Sequence, residues 1–166
     1  MELYLVQHGA AKSEAEDPSR GLTPEGRRDV ERMAEFLAPL LAPRGIDRIE
    51  HSDKLRARQT AEILAARLQP IQGAQQVTGL APNDDIEPLG VRLRQLAEPR
   101  ASAGGSKNLM LVGHLPHLSR LVSRLLGLDA NRAVVRFQMA GVVCLDADET
   151  GQWTVRWVLP PEVLSR

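Results

Sequence analysis

Apolar residues run without a break from position 3 to position 6 and then stop at Gln7, His8 and Gly9. A short continuous run of this kind predicts a strand buried on both faces, and its abrupt end predicts a loop that presents a polar group. Thr23 and Pro24 have the form of an N-cap and a first helical residue. Val30, Met33, Ala34, Leu37, Leu40 and Leu41 then recur at helical spacing, which predicts an amphipathic helix ending near Pro39 or Pro43. Residues 46–51 predict a second strand. Ser52 or Asp53 is placed to cap a helix striped by Ala57, Thr60, Ala61, Leu64 and Leu68. Residues 71–83, rich in Gln, Gly and Pro, predict a short strand at 76–78, followed by a helix from about 86 to 98. Residues 108–113 repeat the opening pattern, with Leu109, Met110, Leu111 and Val112 leading into Gly113 and His114. The next helix is expected to open near Pro116, with Leu118, Leu121, Val122 and Leu125 on its apolar face. Three further strands are predicted at 134–139, 142–147 and 153–159, the last two joined by a turn at 148–151.

Buried strands separated by amphipathic helices predict an α/β fold in three layers. The central sheet is expected to be mostly parallel, with helices on both faces and an antiparallel edge contributed by the last strands. The 166 residues are read as one domain spanning 1–166, because the small polar stretch 101–107 is too short to divide two. Lys plus Arg number 21 and Asp plus Glu number 21, so there is no net charge to attract nucleic acid or an anionic membrane. Aromatics at 3% offer little stacking surface for bases. The single cysteine, Cys144, lies in an apolar run and is expected to pack. The opening apolar run is too short for a signal peptide or a membrane span, and a cytoplasmic location is expected.

Open α/β sheets bind ligands at the carboxyl ends of their strands, where His8 and His114 are both expected. No Walker loop, dinucleotide fingerprint, HExxH or paired CxxC is present, and no cofactor or metal is expected. What remains is a set of His8, Arg56 and His114. A neutral imidazole can attack phosphorus and hold it covalently when cationic donors neutralise the phosphoryl oxygens. Taken singly, each of these residues has a plainer reading, as a satisfied structural histidine or a solvated helix arginine. His117 reads as a helix-start or pocket-rim residue, and His51 either faces the pocket or merely ends a strand.

Several motifs in order reverse that weighting: LVQHGAA at residues 5–11, RGLTPEG at 20–26, SDKLRARQTAEIL at 52–64, LAPNDD at 80–85 and VGHLPHLSRL at 112–121. Together they resemble the histidine phosphatase superfamily, also called phosphoglycerate mutase-like, and within it the small SixA-type phosphohistidine phosphatases. The resemblance implies that His8 is the nucleophile that becomes phosphorylated, that Arg56 grips the phosphoryl oxygens and that His114 completes the pocket as a donor. It also places Gln7 and Arg20 in the phosphate-binding set. The family pattern begins Arg-His-Gly, whereas this chain has Gln7 at the first position. A neutral amide bonds more weakly than a guanidinium, so lower phosphate affinity is expected, with a nucleophile less well protected from protonation and Arg20 compensating in part. Asp84 and Asp85 are the candidate proton donors, and each has a plainer reading as a turn residue. The expected partner is a phosphorylated histidine-containing protein, such as a histidine phosphotransfer domain, or a small phosphate ester. The competing readings are a phosphomonoesterase for a small metabolite and a phosphate-binding module that lost turnover through Gln7.

Overall fold

The computed structural model describes residues 1–98 and 108–164. The predicted loop at 101–107 lies outside the described residues. Six strands form one sheet: β1 (Glu2–Gln7), β2 (Arg48–His51), β3 (Ala74–Gln76), β4 (Leu109–Gly113), β5 (Val142–Ala147) and β6 (Trp153–Leu159), in the order β3-β2-β4-β1-β5-β6. The pairs β3–β2, β2–β4 and β4–β1 are parallel, whereas β5 runs antiparallel to β1 and β6 antiparallel to β5. The mostly parallel α/β sheet with an antiparallel edge is therefore present as expected.

Alternation along β1 explains the three layers. Leu3 and Leu5 face one core with α3 (Glu87–Ala97) and α4 (His117–Leu125), where Leu89, Leu93, Leu118 and Leu121 are buried. Tyr4 and Val6 face the other core with α1 (Pro24–Leu41) and α2 (Leu55–Leu68), against Val30, Met33, Leu37, Ala57, Ala61 and Leu64. A strand covered by helices on both faces must be apolar at every inward position, which is why the run reads as continuous. Glu2 is tolerated in this buried strand because Tyr4 donates to it and Arg44 and Arg156 pair with it. Glu50 of β2 is likewise buried and is matched by Arg92 of α3, at 2.8 and 2.5 Å, and by Arg48. These two cations outweigh the burial that opposes its charge and hold its carboxyl below the ordinary glutamate range.

Two sequence expectations are corrected and one is met. The short middle strand is at Ala74–Gln76, two residues earlier than expected. It pairs there with Ile49, Glu50 and His51. Residues 134–139 form no strand, because β1 is already flanked by β4 and β5, and β5 by β1 and β6, which leaves no inner edge to join. Only Phe137 of that segment is buried in the core, and Val134 and Met139 are exposed. The segment ends in a turn in which Ala140, at φ 62°, donates its amide to the Gln7 carbonyl. As expected, α1 is capped by Thr23, whose hydroxyl accepts from Gly26 N at 2.9 Å, and ends between Pro39 and Pro43, at Leu41. No described helix is long and apolar enough to cross a membrane.

Candidate active site

Parallel register assembles the site. Gln7 pairs with Gly113, so His8 and His114 each stand one residue beyond a matched pair on neighbouring strands. His51 pairs with Val112, so Ser52 emerges from β2 at the same end of the sheet. Arg56, in the first turn of α2, projects to this point from the helix that follows.

The chain around His8 is close-packed. A Cβ at Gly9 would lie 2.8 Å from the Gly26 carbonyl and from Val30, and one at Gly26 would lie 2.1 Å from the Ala10 carbonyl. Both glycines are required for α1 to approach the loop that carries the histidine. The Gly9 amide donates to Thr60 Oγ1 at 3.1 Å, and that hydroxyl donates to the Arg56 carbonyl at 2.7 Å. Thr60 therefore ties the His8 loop to the turn that presents Arg56.

His8 Nδ1 lies 2.7 Å from the Gly9 carbonyl, which can only accept, so Nδ1 carries the proton and Nε2 the lone pair. Arg56 Nε donates to that Nε2 at 3.2 Å. Burial, above all, and the charges of Arg56 and Arg20 push the His8 pKa down to about 4, against an opposing contribution from the Gly9 hydrogen bond. This corrects the expectation that losing the family arginine leaves His8 prone to protonation near neutral pH. Burial is the largest cause of that lowering. The His114 ring is 4.8 Å from the His8 ring, tilted by 55°. Its pKa is pushed down to about 3 by burial, by His8 and by Arg56. Two neutral imidazoles thus share a pocket with a guanidinium.

The structure brings His8, Arg56 and His114 into one cluster. Arg20 stands at its rim in a left-handed conformation, with its Nε donating to the Lys12 carbonyl and its charge acting on both His8 and Arg56. Gln7 is buried at the strand end, and its Oε1 has no hydrogen-bond partner among the described residues. Asp84 and Asp85 lie beside the cluster rather than in it. They line a neighbouring cleft of about 730 Å³, together with Asp53, Thr78 and Arg92. Asp84 accepts from the Ala81 amide and Asp85 from the Glu87 amide, so both already serve as turn and helix-start acceptors. The carboxylate whose charge reaches His114 and Arg56 is Asp53.

His51 is buried, with Nδ1 bonded to the Ser52 carbonyl at 2.8 Å. His117 is buried at the start of α4, and among the described residues neither ring nitrogen has a hydrogen bond of ordinary geometry. Among the described residues, no group of three or more His, Cys, Asp or Glu side chains is placed to hold a metal ion.

Sequence reasoning missed Ser52, reading it as a helix cap. The N-cap position is held by Lys54, without a side-chain bond, and Ser52 Oγ instead lies 2.6 Å from His114 Nε2. The signal that could have found it is register: a polar residue directly after a second parallel strand, at the end where two histidines emerge.

Known proteins resemble this chain in sequence and fold. A profile of the histidine phosphatase superfamily, branch 1, matches residues 3–81. An uncharacterized protein from Picosynechococcus sp. is 42% identical in an alignment of 124 positions that covers 71% of this chain and 68% of that protein. Among solved structures, the protein histidine phosphatase SixA in complex with tungstate superposes with a TM-score of 0.82 at 27% identity, covering 99% of each chain. A proposed SixA phosphohistidine phosphatase from Agrobacterium tumefaciens does so with a TM-score of 0.71 at 25% identity, covering 96% of this chain and 97% of that one. The match in sequence and in fold over nearly the full length leads to one assignment: the chain belongs to the histidine phosphatase superfamily, is of the SixA type within it, and is a phosphatase.

Proposed function

We propose that the protein removes phosphoryl groups from phosphohistidine in other proteins, in two steps through His8. The observation that carries this reading is a histidine held neutral, with its proton fixed on Nδ1 and its Nε2 lone pair beside Arg56 and His114. In the first step, Nε2 attacks phosphorus and the bond between phosphorus and the substrate imidazole breaks. The released nitrogen takes the electron pair and a proton. In the second step, water attacks phosphorus in line, the bond to Nε2 breaks, and inorganic phosphate leaves. Arg56 and Arg20 neutralise the phosphoryl oxygens throughout, and His114 donates to one of them.

The surroundings of His8 favour a phosphorus–nitrogen bond over an ester. Among the described residues, no carboxylate is hydrogen-bonded to His8, Arg56 or His114, so provision for protonating an alkoxide is thin. Asp84 and Asp85 are engaged with backbone amides in the adjacent cleft. An imidazole that is protonated as it leaves needs less help from an enzymic acid.

The test compares a phosphorylated histidine phosphotransfer domain with a phosphoserine peptide and small phosphate esters, using wild type and His8→Ala. The expected result is preferential loss of phosphate from the phosphohistidine protein, abolished in His8→Ala. Faster turnover of small esters would transfer the assignment to a metabolite phosphomonoesterase. Oxyanion binding with no acid-labile phosphoryl label on the wild type would mark a binding module.

A further inference from the structure

His114 has two nitrogens in very different circumstances. Nε2 lies 2.6 Å from Ser52 Oγ, whereas Nδ1 is buried and has no hydrogen-bond partner among the described residues. Because burial and the neighbouring cation keep the ring neutral at physiological pH, only one of the two nitrogens can donate, and something must decide which.

Ser52 makes that decision. It is 1% exposed, so its hydroxyl proton needs an acceptor inside the protein. Among the described residues, two groups stand within hydrogen-bond distance of Oγ. The Lys54 amide at 3.3 Å can only donate, which leaves His114 Nε2 as the acceptor for the hydroxyl. A proton on Nε2 would make Ser52 accept twice and would strand its own O–H in the interior, at the full desolvation cost of that group. The hydroxyl therefore donates to Nε2, and the ring proton is on Nδ1. His8 and His114 then carry their protons on the same ring position, one fixed by the Gly9 carbonyl and the other by a serine hydroxyl.

We propose that Ser52 is a positioning residue for the phosphatase reaction: by holding Nε2 of His114 as an acceptor, it leaves Nδ1–H as the donor offered to a phosphoryl oxygen between His114, His8 and Arg56. The proposal rests on reading that cluster as a phosphoryl site. The opposite tautomer would turn a lone pair toward an anion and repel it, so the hydroxyl acts on substrate only through the imidazole.

Two measurements test it. The first is the ¹⁵N spectrum of the histidine rings in wild-type protein at pH 7, with His114 assigned by the signals lost in His114→Asn. The expected result is a protonated Nδ1 and a lone-pair Nε2, and a proton on Nε2 overturns the proposal without any need for a variant to fold. The second is tungstate affinity by titration calorimetry for wild type and Ser52→Ala. Removing the hydroxyl frees the ring to populate both tautomers and should weaken binding by the inverse of the fraction left in the Nδ1–H form, about twofold for equal populations and severalfold where the Nε2–H form prevails. Unchanged tungstate affinity in a folded Ser52→Ala overturns the positioning role. A wild type that shows the Nδ1–H tautomer yet binds no tungstate overturns the phosphoryl-site reading, and the oxyanion role of Ser52 with it, while the tautomer assignment stands.

Discussion

Restoring the family's cation is the most informative perturbation of this site. Gln7→Arg replaces a neutral amide by a guanidinium at the end of β1, next to His8. Two consequences separate cleanly. A charge-assisted hydrogen bond contributes about 1.5–3 kcal/mol, against about 0.5–1.5 for a neutral one, so oxyanion binding should improve by roughly 1 kcal/mol, or about fivefold. Protonation of the nucleophile, in contrast, has almost nothing left to gain. With its pKa already at about 4, His8 is protonated in only roughly one molecule in a thousand at pH 7, so lowering it further changes no rate there. The expected outcome is a KM for phosphorylated substrate, and a tungstate Kd, lower by about fivefold, with a flat pH–rate profile between pH 6 and 8 in both proteins. Because Gln7 is buried, the new charge should also lower the thermal midpoint of the unliganded protein, and tungstate should restore it. Steady-state kinetics over that pH range, with melting curves with and without tungstate, check all three. Unchanged KM and Kd would mean that position 7 does not face the anion. A large gain in rate at pH 7 accompanied by a shifted pH profile would refute the claim that burial keeps His8 neutral.

Three further expectations follow from the same geometry. Activity should fall as pH drops through about 4, where His8 gains its proton, and Arg20→Gln should move that acid limb upward because Arg20 helps to depress the His8 pKa; a pH–kcat/KM profile with an unmoved limb would contradict the electrostatic role of Arg20. Folded His8 titrates near 4, below its unfolded value of 6.5, so the unfolded chain takes up this proton first. Stability is therefore full above pH 6.5 and declines as pH falls toward 4, by about 3 kcal/mol from this group; urea melts at pH 7 and 4.5 should show His8→Ala losing less stability on acidification than wild type. Gly26→Ala should destabilise by roughly 2 kcal/mol or more, since its Cβ would meet the Ala10 carbonyl at 2.1 Å and push α1 off the His8 loop; denaturant unfolding measures it, and a neutral effect would show that the approach of helix and loop is not tight.

Much of this was legible in the chain because buried parallel strands leave a one-dimensional trace. The runs before His8 and His114 are apolar at every position, since helices cover both faces, and each ends where the sheet ends. Two histidines at two strand ends therefore predicted a shared location before any register was known. The errors arise where a neighbour, and not the local sequence, decides. Residues 134–139 have the apolar content of a strand, yet every inner edge of the sheet was already taken, and only Phe137 is fully buried, with Val135 packed partly against the same core. The third strand sits at Ala74–Gln76 because the parallel partner residues of β2 lie there, while the expected Thr78 falls beyond the reach of His51, the last residue of β2.

Ser52 shows the same limit at the level of chemistry. A serine before a helix has a sound local use as a cap, and nothing within a few residues of it says otherwise. Its partner His114 is 62 positions away and is reached only because β2 and β4 are neighbours in the order β3-β2-β4-β1. The same adjacency brings His8 in from β1 on the far side of β4, so a single central strand, ending in Gly113, delivers the histidine that two flanking strands orient and face. A glycine there also leaves room for Leu118, whose Cδ2 would lie 3.2 Å from an added Cβ. Charge at position 7 can therefore vary in a chain of this fold more readily than register or the glycines can: the cation adjusts affinity, whereas the strand order and the close packing decide whether a nucleophile, its donor and its arginine meet at all.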